Sequence, residues 1–177
     1  MSDGRPVLRP SREDDVEAIA AIYAHHVLHG LASFEETPPA AAEIARRRAA
    51  IVGQGLPYLV AEEGGRILGY CYAGPFRPRS AYRYTLEDSV YVAAEAVGRG
   101  IGRDLLAAVI AQAGELGYRQ MVAVIGGSET LPSIGLHRAL GFAHCGVLPA
   151  IGFKFGRWVD VVLMQRALGP GAATAPA

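Results

Sequence analysis

Apolar positions recur along this chain in two rhythms, and the change from one to the other marks out its elements. Spacings of three and four put Val16, Ile19, Ala20, Tyr23 and Val27 on one stripe of a helix that Gly30 stops. Ser11, with Asp14 three residues on, reads as a capping box opening that helix. Pro38 and Pro39 start a second helix over 40–52, and the intervening 31–37 is a loop carrying Ser33, Phe34 and Glu35. Ile101, Leu105, Ala108, Val109, Gln112 and Ala113 line one side of a third helix over 100–116, and 133–140 is a short fourth helix ended by Gly141.

The shorter rhythm predicts strands. A brief one covers 7–9, and 58–62 and 67–73 form a hairpin around Glu63, Gly64 and Gly65. Further strands cover 85–92, 121–125 and, after an irregular stretch that follows Gly141, 158–165. Hairpin-joined strands come first and helix-joined strands later, so the expected class is α/β (α+β), a mixed, mostly antiparallel central sheet with helices on both faces. At 177 residues the chain fits a single domain, placed at 1–168, and the Gly-, Ala- and Pro-rich 169–177 is expected to be a disordered tail.

Charge and composition narrow the function. Seventeen basic and seventeen acidic side chains cancel, which speaks against the basic footprint of a nucleic-acid binder. The run Arg46, Arg47 and Arg48 lies among Ala and Glu on a helix and reads as a solvated face. No apolar run approaches the roughly 18 residues that span a bilayer, and the polar start lacks the plan of a signal peptide. A cytoplasmic protein without a membrane partner is expected. Cys71 and Cys145 are not in a CxxC pair, so buried reduced thiols are expected and no metal site.

Between the strand at 85–92 and the third helix lies Val97, Gly98, Arg99, Gly100, Ile101, Gly102, a strand-to-helix turn where bare N–H groups and the helix dipole make an anion site. Gly102 is followed by Arg103 and Asp104 where a Walker loop needs Lys and Ser or Thr. The next strand ends in Ile125, Gly126 and Gly127 where a dinucleotide fold needs an acid. The turn resembles instead the pyrophosphate loop of the GNAT superfamily of acyl-CoA N-acyltransferases, departing from its pattern at Val97. The stretch Thr130, Leu131, Pro132, Ser133, Ile134, Gly135, Leu136, His137 through Gly141 and Phe142 resembles a second signature of that family, with Thr130 where Asn is usual. Glu87, Asp88, Ser89, Val90, Tyr91 and Val92, His137, the Ser33 to Glu35 loop and the run from Gly152 through Lys154 and Trp158 to Asp160 together resemble its phosphinothricin and methionine sulfoximine N-acetyltransferase branch.

The resemblance implies acetyl-CoA as cosubstrate, held by Val90, Tyr91, Val92, Gly98, Arg99, Gly100, Ile101, Gly102, Arg103, Thr130 and Ser133. It implies transfer of acetyl to the α-amino group of a small amino-acid analogue, with Glu87 as general base and His137 as acid for the departing thiolate. Acyl transfer to an amine needs both a base and a proton for the leaving group. Arg77, Arg79 and Arg83 precede Glu87 and offer guanidinium forks for a substrate carboxylate, and Phe34, Asp88 and Ser89 complete the expected substrate residues. Members of this branch pair, so a homodimer is expected. A protein or peptide N-acetyltransferase and a CoA-binding module without chemistry are the alternatives.

Overall fold

The computed structural model describes residues 5–176. Its strands are β1 (Val7–Pro10), β2 (Tyr58–Glu63), β3 (Arg66–Pro75), β4 (Thr85–Val92), β5 (Gln120–Gly126), β6 (Ala143–Lys154) and β7 (Arg157–Ala167), and its helices are α1 (Val16–His29), α2 (Ala41–Val52), α3 (Ile101–Glu115) and α4 (Leu131–Ala139). They build one sheet of order β1-β2-β3-β4-β5-β7-β6. Every neighbouring pair is antiparallel except β4 with β5, which the α3 crossover joins in parallel. The mixed, mostly antiparallel sheet matches the class expected from the element order.

Neighbouring residues of β3 show how the helices are layered. A Cβ on Gly69 would meet Leu105 and Ile101 of α3, while Tyr70 stacks with Tyr91, whose other edge meets Tyr23 of α1. Adjacent strand residues face opposite ways, so α3 covers one side of the sheet and α1 the other. The stripe on α1 buries Val16, Ile19, Tyr23 and Val27 as its spacing predicts, with Ile22 added. On α3 the buried set is Ile101, Leu105, Leu106, Val109, Ile110 and Ala113. Gln112, placed on that stripe by spacing, is exposed, because a helix under a wide sheet buries a broader apolar arc than one row.

Four expectations are corrected. The carboxylate of the capping box is Asp15, not Asp14, and the box closes the turn at 13–15 that leads into α1: Asp15 accepts from the Arg12 N–H at 2.7 Å and takes a two-pronged bond from Arg9. Arg48 does not belong to a solvated face. It is buried, donating to the Ser11 hydroxyl at 2.8 Å and the Ser11 carbonyl at 2.5 Å, while Arg46 and Arg47 pair with Glu43 at the surface. Cys71 is buried but Cys145 is exposed. The stretch after Gly141 is not irregular: it is β6, hydrogen-bonded to β7 with register shifts between His144 and Gly146 and between Leu148 and Gly152. Extra residues at those two bulges break the period of two that identifies a strand.

Beyond β7 the described residues to 176 run through turns. Arg119 donates to the Gly171 carbonyl, the Thr174 hydroxyl and the Ala175 carbonyl, laying this segment along the end of β5. Among the described residues no helix is long and apolar enough to cross a membrane.

Candidate active site

The site begins where β4 and β5 part. Their ladder pairs Thr85 with Gln120, Leu86 with Met121 and Glu87 with Val122, and beyond these pairs the strands splay. A cleft of about 110 Å³ opens there, bordered by Glu87 to Tyr91, Ile125, Gly126, Thr130, Ser133 and His137. Peptides of β4 facing β5 alternate with those facing β3. The Ala93 N–H bonds the Leu68 carbonyl, so the peptide groups of Ala93, Tyr91 and Ser89 point to β3, and those of Val92, Val90 and Asp88 point to the cleft. His26 supports this arrangement, its Nε2–H donating to the Val92 carbonyl at 2.9 Å, with burial holding its pKa below the ordinary value and so keeping the ring neutral. Of the expected trio, Val90 and Val92 thus offer backbone groups, whereas Tyr91 contributes a buried ring.

The glycine turn stands at the far end of β4. Gly98 and Gly100 have φ of 84° and 81°, the left-handed region that glycine adopts without a steric penalty. Gly100 directly precedes α3, whose first N–H groups lack intrahelical partners and face outward. Ile101 is buried and anchors the turn, and Gly102 lies beside Val90, Val92 and Leu136. Arg103 is exposed on the first turn of the helix, and Arg99 is paired with Glu63 at 2.7 Å. Across the cleft Thr130 stands just before α4, its hydroxyl donating back to the Gly126 carbonyl at 2.8 Å rather than capping the helix, with Ser133 one turn further on.

Glu87 is half-buried at the root of the split. Burial raises its pKa, the neighbouring Asp88 adds to the rise and Arg77 opposes it. It also borders a second depression, of about 520 Å³, whose walls include Phe34, Phe76, Arg77, Val124, Leu148 and Ile151. Arg77 therefore joins Glu87 at one cavity. Arg79 lies exposed on the loop, and Arg83 folds over the Tyr84 ring and donates to the Ser80 carbonyl. Ser89 faces the Tyr72 phenol across the strand pair.

His137 and Asp88 occupy places that spacing could not supply. His137 Nδ1 is 2.7 Å from the Ser133 carbonyl, which can only accept, and Nε2 is 2.9 Å from Asp88 Oδ2, with both side chains almost wholly buried. Burial works against the charge on this ring, but the Asp88 carboxylate outweighs it with help from the Ser133 carbonyl, and the pKa lies above its ordinary value. Both N–H groups are thus committed within the protein. With both nitrogens engaged by acceptors inside the protein, the ring as placed turns no free N–H toward a departing thiolate, which counts against the expected acid. Asp88, expected at the substrate, instead holds His137, and its Oδ1 is buried without a partner among the described residues.

Sequence reasoning missed Lys154. It is 1% exposed, and its ammonium donates to the carbonyls of Gly30 at 2.9 Å and Ser33 at 2.6 Å. Burial lowers its pKa, against Glu36 and Glu35, which raise it. The signal was present in the run from Gly152 to Asp160, but a lysine in a strand reads as a surface charge.

Comparison with known proteins agrees with this architecture. A family model described as Acetyltransferase (GNAT) domain matches residues 8–163. Phosphinothricin N-acetyltransferase of Alcaligenes faecalis is 56% identical over 169 residues, covering 96% of this chain and 86% of that protein. L-methionine sulfoximine/L-methionine sulfone acetyltransferase of Pseudomonas paraeruginosa is 42% identical over 167 residues, 92% of this chain and 95% of the other. The crystal structure of a phosphinothricin acetyltransferase from Sinorhizobium meliloti in complex with AcCoA superimposes with a TM-score of 0.95 at 50% identity, covering 98% of this chain and 94% of that one. The chain belongs to the GNAT acetyltransferase family.

Proposed function

We propose that this protein is an acetyl-CoA-dependent N-acetyltransferase that acetylates the α-amino group of a small amino-acid analogue of the phosphinothricin, methionine sulfoximine or methionine sulfone type. The observation that carries this reading is the position of Glu87, which borders both the cleft between β4 and β5 and the depression beside Arg77. A cosubstrate lying along the cleft meets an acceptor in the depression at that carboxylate.

The turn at 98–102 and the start of α3 hold the pyrophosphate of acetyl-CoA through backbone N–H groups, and Val90 and Val92 hydrogen-bond its pantetheine arm and thioester carbonyl. Thr130 and Ser133 close the other side of the cleft. Arg77 takes the acceptor carboxylate and Phe34 walls its aliphatic part. An α-ammonium is mostly protonated at neutral pH, so Glu87, directly or through a water, removes a proton before the amine attacks the thioester carbon. Burial raises the pKa of Glu87, which makes it a stronger base than an exposed carboxylate. The nitrogen of the tetrahedral adduct gives its second proton to solvent, the C–S bond breaks and coenzyme A leaves as a thiolate, a good leaving group because thiols titrate near pH ~8.5. The thiolate takes a proton from solvent, so that one proton is released overall. Transfer is direct, with no acyl-enzyme.

A homodimer fits the reading, with Leu148, Ile151, Phe153, Phe155 and Trp158 exposing apolar surface along the edge hairpin of β6 and β7. A cytoplasmic location fits its two free thiols. The test is thiol release from acetyl-CoA over a panel of amino-acid analogues, peptides and simple amines. Turnover is expected on methionine sulfoximine or phosphinothricin, and Glu87→Gln is expected to lower kcat by roughly 10²- to 10⁴-fold with little change in acceptor KM. Turnover confined to peptides would replace this reading with a protein-modifying one.

A further inference from the structure

The loop at 31–37 carries Phe34 into the acceptor depression, and the contacts that hold it come from the far side of the sheet. The Phe34 ring lies against two glycines: a Cβ on Gly152 would collide with it, and one on Gly126 would collide with both the ring and the Leu31 carbonyl. Gly152 is on β6 and Gly126 ends β5, so the ring fits only because both strands leave room for it. Two residues beyond Gly152, Lys154 reaches out of the same strand to bond the carbonyls on either side of the loop's first turn, Gly30 and Ser33. Ser33 in turn shares a 2.7 Å hydrogen bond with Tyr23 of α1, and its hydroxyl accepts from the Glu35 N–H. The ammonium is therefore the hydrogen-bonding link from this loop to β6, where Phe34 also packs, while other bonds tie the loop to α1, to Arg47 of α2 and to Tyr91 of β4.

We propose that Lys154 is a positioning residue of the acceptor site: it clamps the loop at 31–37 so that Phe34 is pressed between Gly126 and Gly152, and this sets the size of acceptor side chain that the depression admits. The proposal rests on the acceptor site described above and adds to it a determinant outside the cavity wall. Two charge-assisted hydrogen bonds from a buried ammonium are stronger than neutral ones and fix two carbonyls at once, which suits a clamp. A methionine at this position keeps the length of the side chain and removes both donors. Gly152→Ala displaces the ring from the opposite side while leaving the ammonium in place. Both changes act on Phe34, so their effects converge on one residue.

Two measurements decide it. Hydrogen exchange is compared in wild type and Lys154→Met, and steady-state kinetics on whichever panel acceptor turns over are measured for wild type, Lys154→Met, Gly152→Ala, Phe34→Ala and the Phe34→Ala/Lys154→Met double variant. The expected result is faster exchange confined to 31–37 in Lys154→Met, with acceptor KM raised roughly tenfold by either Lys154→Met, which removes both hydrogen bonds, or Gly152→Ala, which displaces the ring. The KM for acetyl-CoA should stay unchanged. Bulkier acceptors should gain relative to small ones, and Lys154→Met should add almost nothing in the Phe34→Ala background, because the two act as one unit. Unchanged exchange at 31–37 overturns the clamp even if no amino-acid acceptor turns over, the case that would sink the acceptor assignment by itself. Faster exchange with acceptor KM unaltered, or additive effects of the Phe34 and Lys154 changes, overturns the positioning role.

Discussion

His137→Ala separates a structural histidine from a catalytic one. The imidazole and the Asp88 carboxylate lie 2.9 Å apart with side chains 3% and 2% exposed, and Asp88 Oδ1 already lacks a partner among the described residues. Removing the ring strands the whole carboxylate in the interior, a change that typically costs about 3–5 kcal/mol. For a chain of this size each kcal/mol moves the melting midpoint by about 2–4 °C, so a fall of roughly 6–20 °C is expected. The pH dependence carries a sign. The folded pKa of His137 is raised above 6.5, so its contribution is fully present below pH 6.5 and is lost as the pH rises through the folded value. Asp88→Asn keeps the shape and lets its amide N–H donate to Nε2 of a neutral ring whose Nδ1–H still bonds the Ser133 carbonyl, so it should lower stability near pH 6 and flatten the loss at alkaline pH. The assay is thermal melting by circular dichroism from pH 6 to 9, with kcat measured well below the midpoint of each variant. Parallel decline of wild type and Asp88→Asn above pH 6.5 would refute the charged pair. A His137→Ala midpoint within about 2 °C of wild type, together with a roughly hundredfold loss of kcat, would restore the ring as the acid.

Three further outcomes are expected. Arg77→Ala should raise the KM for carboxylate-bearing acceptors by roughly tenfold or more with a smaller change in kcat, and should leave acceptors without a carboxylate unaffected, as read by thiol release. Gly100→Ala forces a side chain to φ of 81°, costs about 1–2 kcal/mol and should weaken acetyl-CoA binding, measured by isothermal titration. Asp15→Asn removes the carboxylate that Arg9 grips and that caps the Arg12 N–H, at a cost of about 1–3 kcal/mol. Arg9 holds the Asp15 pKa below 3.8, so that margin over the variant is present above this value and disappears as the pH falls through the folded pKa, which urea titrations at acid pH would track.

Much of the frame was legible because its signals are local. The turn at 98–102 announces itself by glycines, two of which, Gly98 and Gly100, take positive φ, and the apolar rhythm of α1 survives packing almost intact. What was hidden depends on distance or on a broken period. Asp88 and His137 are 49 residues apart, and nothing in strand alternation says which helix an inward carboxylate will meet. β6 carries one bulge at Cys145 and another that takes in Pro149 and Ala150, the latter at φ of 50°, so its alternation fails where it would be read. Arg48 and Lys154 look like surface charges because long basic side chains usually are. Their burial follows from carbonyls brought to them by the fold, from Ser11 to Arg48 and from Gly30 and Ser33 to Lys154.

The short parallel ladder between β4 and β5 also divides the molecule mechanically. Strands β1 to β4 form one continuous antiparallel block and β5 to β7 another, joined across the sheet by the short pairing at Thr85 to Glu87 and by the Tyr84 carbonyl, which accepts from the Arg119 and Gln120 N–H groups. A seam with so few backbone bonds is where cooperativity is weakest, so partial unfolding should separate these blocks before either melts. The polar links that cross it, Asp88 to His137 and Lys154 to the loop at 31–37, act as stitches in place of ladder bonds. A ligand lying along the seam touches both blocks and becomes a further stitch, coupling saturation with acetyl-CoA to the integrity of the whole sheet.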